Sequence, residues 1–273
     1  MVNEKKKMLP ILMTASVSTR GMKCAAFSDD ERESMYIATL QYYIDNVLNG
    51  QSGSRIVFAE NSGWPKSRIL SRISQGGGGI EYIELDPSLF DISRGKGYNE
   101  LVMINEAIEK STHIRAAGAF VKVTGRYPIY NIGYFVDEAS RFIYDKGGVF
   151  YGDMKDHRLY DLLKIGWCGH AGYSVLFAST VENYRANIGN KFGSLNDYEG
   201  RLVEGLLYDY MVQFRKSRSA RVVCRFKREP ICGGLQGSNI QSVSFSKNND
   251  SMRSKVMRLV GNCIRIFFPW FWF

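Results

Sequence analysis

Met8-Leu-Pro-Ile-Leu-Met-Thr-Ala-Ser-Val17 is a continuous apolar run that closes on small polar residues. It lacks the alternation of a half-exposed strand and reads as a strand buried on both faces, the kind found in parallel sheets covered by helices. Met1 to Lys7 is basic, but Pro10 breaks the apolar run and no small-residue cleavage site follows, so a secretory signal is not expected. Asp29 to Leu48 has helical spacing at Met35, Ala38, Leu40, Tyr42 and Val47, which completes a first strand-helix unit.

The unit repeats along the chain. Arg55-Ile-Val-Phe-Ala59 is a second buried strand ending in Glu60-Asn-Ser-Gly63, and Ser67 to Ile73 predicts a short helix before the Gly76 to Gly79 run. Ile80 to Leu85 alternates as a strand, a loop carries Arg94-Gly-Lys-Gly97, and Asn99 to Ser111 is helical through Leu101, Ile104, Ala107 and Ile108. A further strand, Phe120-Val-Lys-Val-Thr-Gly-Arg-Tyr-Pro-Ile129, carries two cations where burial of unpaired charge is costly, so Lys122 and Arg126 are expected to face something anionic. Ile132 to Phe142 and Tyr198 to Phe214 predict helices, and Gly148 to Tyr151 and Tyr173 to Phe177 short strands. The succession implies an α/β fold with a Rossmann-like, mainly parallel sheet sandwiched by helices and ligands at the carboxyl ends of its strands.

With 273 residues and 45% hydrophobic composition, the chain can bury one large core. We expect one domain over residues 1–245, then a linker and C-terminal helix over 246–273. Cys24, Cys168, Cys224, Cys232 and Cys263 are scattered without zinc-like or disulfide-framework spacing, as in a reducing cytoplasm. No G-x-G-x-x-G follows the first strand, and P-loop and G-x-S-x-G motifs are absent. His113, His157 and His170 stand in unrelated contexts and suggest no triad.

What remains is a set of polar residues at successive strand ends: Thr14 and Ser16; Glu60 and Asn61; Arg94 with Gly95, Lys96 and Gly97; and Lys122, Thr124 and Arg126. Small polar groups and an acceptor such as Glu60 suit a base and ribose, and cations suit a diphosphate. The glycine-rich loop before a helix N-terminus is a favourable anion environment.

The order of elements is similar to that of a GT-A-fold glycosyltransferase. Phe58-Ala-Glu-Asn-Ser-Gly63, Arg94-Gly-Lys-Gly-Tyr-Asn-Glu100 and Phe120-Val-Lys-Val-Thr-Gly-Arg-Tyr127 resemble bacterial sugar transferases of surface-polysaccharide (capsule or O-antigen) assembly, over roughly residues 8 to 210. The resemblance implies a nucleotide-sugar donor, with Glu60 and Asn61 near the nucleoside and Gly95 to Glu100 near the donor. It also places an Asp-x-Asp metal motif where this chain has Lys122-Val-Thr-Gly-Arg126, so transfer without a metal cofactor is expected, the two cations neutralising the departing diphosphate. Asp153-Met-Lys-Asp156-His-Arg158 is a competing acidic segment for the donor or a divalent metal, and a solvated turn reads it equally well. In the resembling fold a carboxylate at the start of a late helix is the base, which points to Asp197 and Glu204; a helix cap reads Asp197 equally well. Trp167-Cys-Gly-His-Ala-Gly172 could stack on an acceptor sugar or simply pack tightly.

From Arg215 onward the chain has twelve basic and two acidic residues, against a net charge of +9 overall. Met252 to Phe268 sets Val256, Leu259, Val260, Cys263 and Phe267 on one helical face and Lys255, Arg258, Asn262 and Arg265 on another, and ends in Pro-Trp-Phe-Trp-Phe273. A basic amphipathic helix with Trp270 and Trp272 at its end suits an anionic membrane surface, and the charged residues argue against a membrane span. Nucleic acid is not expected as a partner, because it would leave the apolar face uncovered. The sequence thus points to a cytoplasmic glycosyltransferase on the inner face of the cell membrane with a lipid-linked glycan acceptor; the alternatives are a nucleotidyltransferase of similar fold and a basic nucleic-acid-binding protein.

Overall fold

The structure, a computed structural model, describes residues 7–22, 26–48, 55–74, 79–157, 162–163, 169–234 and 252–269. Arg158, Trp167, Cys168, Trp270, Trp272, most of the Gly76 to Gly79 run and the linker at 246–251 lie outside them.

The sheet grows from β1 (Ile11–Ala15), which pairs in parallel with β2 (Ile56–Glu60) on one side and β4 (Ala119–Thr124) on the other. β2 carries β3 (Ile80–Glu84), also in parallel. Beyond β4 the direction reverses in β8 (Leu176–Thr180), followed by β5 (Phe150–Tyr151) and β9 (Val222–Val223). The order is β3-β2-β1-β4-β8-β5-β9, with four of six pairings parallel. β6 (Met154–Asp156) and β7 (His170–Gly172) form a separate antiparallel ribbon.

Helices cover both faces, and the pleat of β1 shows why. Ile11, Met13 and Ala15 pack with Tyr36, Ile37 and Leu40 of α1 (Asp29–Tyr43) and with Phe135 and Val136 of α5 (Ile132–Ser140). Leu12 points the other way, into a layer with Leu101 and Ile104 of α3 (Gly95–Lys110), Ile114 of α4 (Thr112–Ala117), Tyr184 of α6 (Val181–Asn187) and Leu207 of α7 (Val203–Lys216). Ile69 of α2 (Lys66–Leu70) joins the first layer. This is the expected helix-covered α/β sheet, with a C-terminal helix, α8 (Met252–Phe267), as expected from the pattern. Among the described residues no helix is long and apolar enough to cross a membrane.

Local differences from the sequence reading are instructive. Ser28 and Glu31 form a reciprocal capping box that starts α1, and from Ile44 to Leu48 the helix widens into a π turn. Arg94-Gly-Lys-Gly97 is not a loop: α3 starts at Gly95. The helix expected from Tyr198 starts at Val203, after a separate 3-10 turn at Asp197–Glu199. The strand expected over Tyr173 to Phe177 runs instead over Leu176–Thr180.

After β1 the chain builds β2 and β3 on one side, then returns to lay β4 on the other. The crevice at the carboxyl ends of β1 and β4 is therefore the point where strand order reverses, the usual ligand position in such sheets.

Candidate functional site

At that crevice Thr14 and Thr124 are register partners, and the next amide, Gly125 N, donates to Thr14 O at 3.0 Å. Two residues back, strand parity turns Lys122 into the α3 layer, fully buried. Its Nζ stands 2.6 Å from Glu100 Oε1 and donates to Ser174 O at 2.6 Å and Thr124 Oγ1 at 3.0 Å. All three ammonium protons are thus engaged, and Thr14 Oγ1 adds a bond to Glu100 at 3.1 Å. The anion that Lys122 faces is Glu100, a partner inside the protein that offsets part of the cost of burying a cation.

Glu204, at the start of α7, accepts from Ser174 Oγ at 2.7 Å, which joins it to the same network. Burial pushes its carboxyl above the usual range and the nearby Glu100 and Asp197 charges add to this, while the Ser174 bond pulls the other way. A carboxyl shifted in this direction is a better proton acceptor than an ordinary one once ionised.

Asp197 has a different task. Its carboxylate accepts from Lys96 N at 2.7 Å and Gly97 N at 3.1 Å, and so caps α3 from a hundred residues away. Gly95 has φ +86°, and a Cβ there would stand 2.5 Å from Asp197 Cβ. The anion position expected at Arg94 to Gly97 is thereby filled by the protein's own carboxylate, and these contacts support the helix-cap reading of Asp197. Arg94 turns away to the Gly193 and Leu195 carbonyls at 2.5 and 2.8 Å, and Lys96 is exposed.

On the β2 side, Glu60 is buried and accepts from Val17 N, Ser62 N and Trp64 N at 2.9–3.1 Å. It organises the loops after β1 and β2 rather than standing open to a ribose. Ser16 Oγ donates to Asn61 Oδ1 at 2.6 Å, so these two candidates do meet. Arg126, just past β4, is 8% exposed, and its Nη2 donates to Tyr127 OH at 3.1 Å.

Asp153 and Asp156 are not a joint site. Asp153 Oδ2 takes Arg265 Nη1 at 2.7 Å. Asp156 is bound by His170 Nδ1 at 2.9 Å, Tyr208 OH at 2.8 Å and Arg215 Nη1 at 2.6 Å. Burial works to raise the Asp156 carboxyl, but Tyr208, Arg215 and His170 more than offset it and hold it below its usual value. Among the described residues no three His, Cys, Asp or Glu side chains gather as metal ligands. The His170 partnership was invisible in sequence, since its partners lie 14 and 38 positions away.

α8 lies against the domain by its polar face. Asn262 Oδ1 accepts from Glu229 N at 2.9 Å, and Arg265 reaches both Asp153 and Phe226 O. Arg265, read as a membrane residue, therefore points inward. Val256, Leu259, Val260 and Phe267 are 46–67% exposed, and Lys255 is also exposed.

No protein-family model and no curated protein matches the chain. Among solved structures it is similar to the galactosyltransferase LgtC in complex with donor and acceptor sugar analogues (9% identity, 79% of this chain and 73% of that one, TM-score 0.46). It is also similar to core-mannan synthase A of Aspergillus fumigatus in a manganese- and GDP-bound form (10% identity, 89% and 83%, TM-score 0.44). A third is a CMP:2-keto-3-deoxy-manno-octonic acid synthetase complexed with CTP (10% identity, 72% and 86%, TM-score 0.38). Likenesses of this degree carry no functional conclusion; the residues at the crevice must supply it.

Proposed function

We propose that this protein transfers a sugar from a nucleotide-sugar donor to a glycan acceptor, as in bacterial surface-polysaccharide assembly. The observation that carries the reading is Glu204, a carboxyl with a raised pKa tied through Ser174 and Lys122 to the strand-order reversal at β1 and β4. Glu204 takes the proton of the acceptor hydroxyl as that oxygen attacks the anomeric carbon and the nucleoside diphosphate leaves. Ser16, Asn61 and Arg126 lie on the donor side, and no divalent metal takes part. Asp153 and Asp156, the acidic pair suggested by the sequence, are each paired with an arginine.

The acceptor is lipid-linked and the protein works at the cytoplasmic face of an anionic membrane. Support comes from α8, docked through polar groups with its apolar face outward and with Lys255, Arg258 and the aromatic end in its sequence. Confinement to that surface raises the effective concentration of acceptor.

A thermal-shift screen against nucleotide sugars tests the reading. A donor should raise Tm, and product should form in EDTA. No shift with any nucleotide sugar removes it, and pyrophosphate release from a nucleoside triphosphate would identify nucleotidyl transfer instead.

A further inference from the structure

Among the described residues two buried arginines at the crevice form no ion pair. Arg32 of α1 is 5% exposed, and its Nε donates to Ser16 O at 3.0 Å and Val17 O at 2.9 Å. Carbonyls satisfy its protons but not its charge. Arg126 is 8% exposed; its Nη2 donates to the Tyr127 hydroxyl, its guanidinium lies 5.1 Å from the centre of that ring, and its enclosed Nη1 has no partner among the described residues. Several other buried charges are paired with an opposite one, Lys122 with Glu100, Asp156 with Arg215 and Asp153 with Arg265, whereas Glu60 is held by backbone amides.

The segments that carry these two cations are both held against the end of β1. A Cβ at Gly125 would stand 2.8 Å from Thr14 O and 3.2 Å from the Tyr36 ring, so only glycine lets the segment after β4 lie flush against the end of β1. Tyr36 OH in turn accepts from Ser16 N at 2.9 Å, and the carbonyl of that same Ser16 receives Arg32. Burial makes Arg32 easier to deprotonate than usual and the Arg126 charge adds to that, while Tyr36 and Asp29 oppose it; Asp29 itself accepts from Thr19 N at 3.4 Å. A buried, unmatched charge is costly in the empty protein and is relieved by a bound anion.

We propose that Arg32 and Arg126 form a two-arginine site for the diphosphate of the nucleotide donor, with Arg32 taking the place that the sequence suggested for Lys122. The proposal rests on the glycosyl-transfer reading. Two guanidinium forks match two adjacent phosphoryl groups, and they lie at the reversal of strand order, where ligands of such sheets bind. Because Arg32 also holds the Ser16 and Val17 carbonyls, the diphosphate and the nucleoside-side loop share one anchor.

The test is calorimetric titration of the full chain with inorganic pyrophosphate, then with nucleoside diphosphates as competitors. Arg126→Gln and Arg32→Gln should each weaken pyrophosphate binding at least tenfold, with the exposed Lys191→Gln unchanged. Arg32→Lys, which keeps the charge and loses the fork, covers the case in which glutamine at 32 fails to fold. Unliganded Arg126→Gln should melt at or above the wild-type temperature, because an unmatched charge has gone; a clear fall would mark Arg126 as structural and overturn the site. Undiminished binding in the arginine variants would do the same, even where sugar transfer is observed. Arginine-dependent pyrophosphate binding that no nucleoside diphosphate displaces would keep the anion site and remove the donor assignment with the transferase reading.

Discussion

The Lys122 ammonium and the Glu100 carboxylate stand 2.6 Å apart, joining the middle of the sheet to the first turns of α3 inside the packed interior. Removing Glu100 leaves Lys122 charged and fully buried, whereas removing Lys122 leaves Glu100 with a fifth of its side chain exposed. Glu100→Ala should lower stability by about 3–5 kcal/mol, and Lys122→Ala by less. The double variant Lys122→Met/Glu100→Leu should cost less than either alone, as urea denaturation will show; additive losses would mean that the pair is not coupled.

Asp197 binds the α3 amides, and as a helix cap rather than a base it makes a distinct prediction. Asp197→Asn, which keeps an oxygen acceptor, should retain transfer within a few-fold. Asp197→Ala should cost about 1–2 kcal/mol of stability. Gly95→Ala should be worse than its size suggests, since both the positive φ and Asp197 oppose it. A thousand-fold rate loss in the asparagine variant with unchanged Tm would return Asp197 to the role of base.

Glu204 should dominate the acid limb of the pH profile. Its folded pKa lies above the ordinary carboxyl value, so between the two the native state binds more protons than the unfolded chain. Stability contributed by Glu204 is therefore complete below the ordinary value and declines as pH rises through the folded one. Transfer should rise over that same interval. Glu204→Gln should flatten the stability curve and reduce the rate by about 10²–10⁴, read from pH-resolved melting and initial rates.

α8 separates membrane affinity from folding by face. Leu259→Asp and Phe267→Asp should reduce co-sedimentation with phosphatidylglycerol vesicles, with stability unchanged within about 0.5 kcal/mol. Arg265→Ala strands Asp153 and should cost about 1–3 kcal/mol, the lower part of the buried-pair range because Arg265 keeps a fifth of its side chain wet. Vesicle binding indifferent to both aspartates would assign the apolar face to another partner.

The strands β1, β2 and β4 were legible because burial on both faces leaves an apolar run that nothing else in the chain imitates. α1 and α3 were legible from their spacing, although α3 begins four residues earlier than the pattern because glycines hide a first turn that Asp197 holds in place. β6, β7 and α6 were not: elements of three to seven residues are too short for a period to show. At the site, the charge anomaly at Lys122 was correctly read as a demand for an anion, but its answer, Glu100, sat inside a helix read as ordinary. Arg32 went unnoticed because a lone arginine early in an amphipathic helix looks solvated until the fold turns it inward.

The wiring of the crevice also has a consequence for the nascent chain. Lys122 waits for Ser174, 52 residues further on, and Ser174 waits another 30 for Glu204. Until β8 is made, β4 offers an open, apolar strand edge to any neighbouring chain. Slow synthesis or truncation between residues 125 and 175 should therefore yield inclusion bodies, and a fragment ending there should need a chaperone to stay in solution.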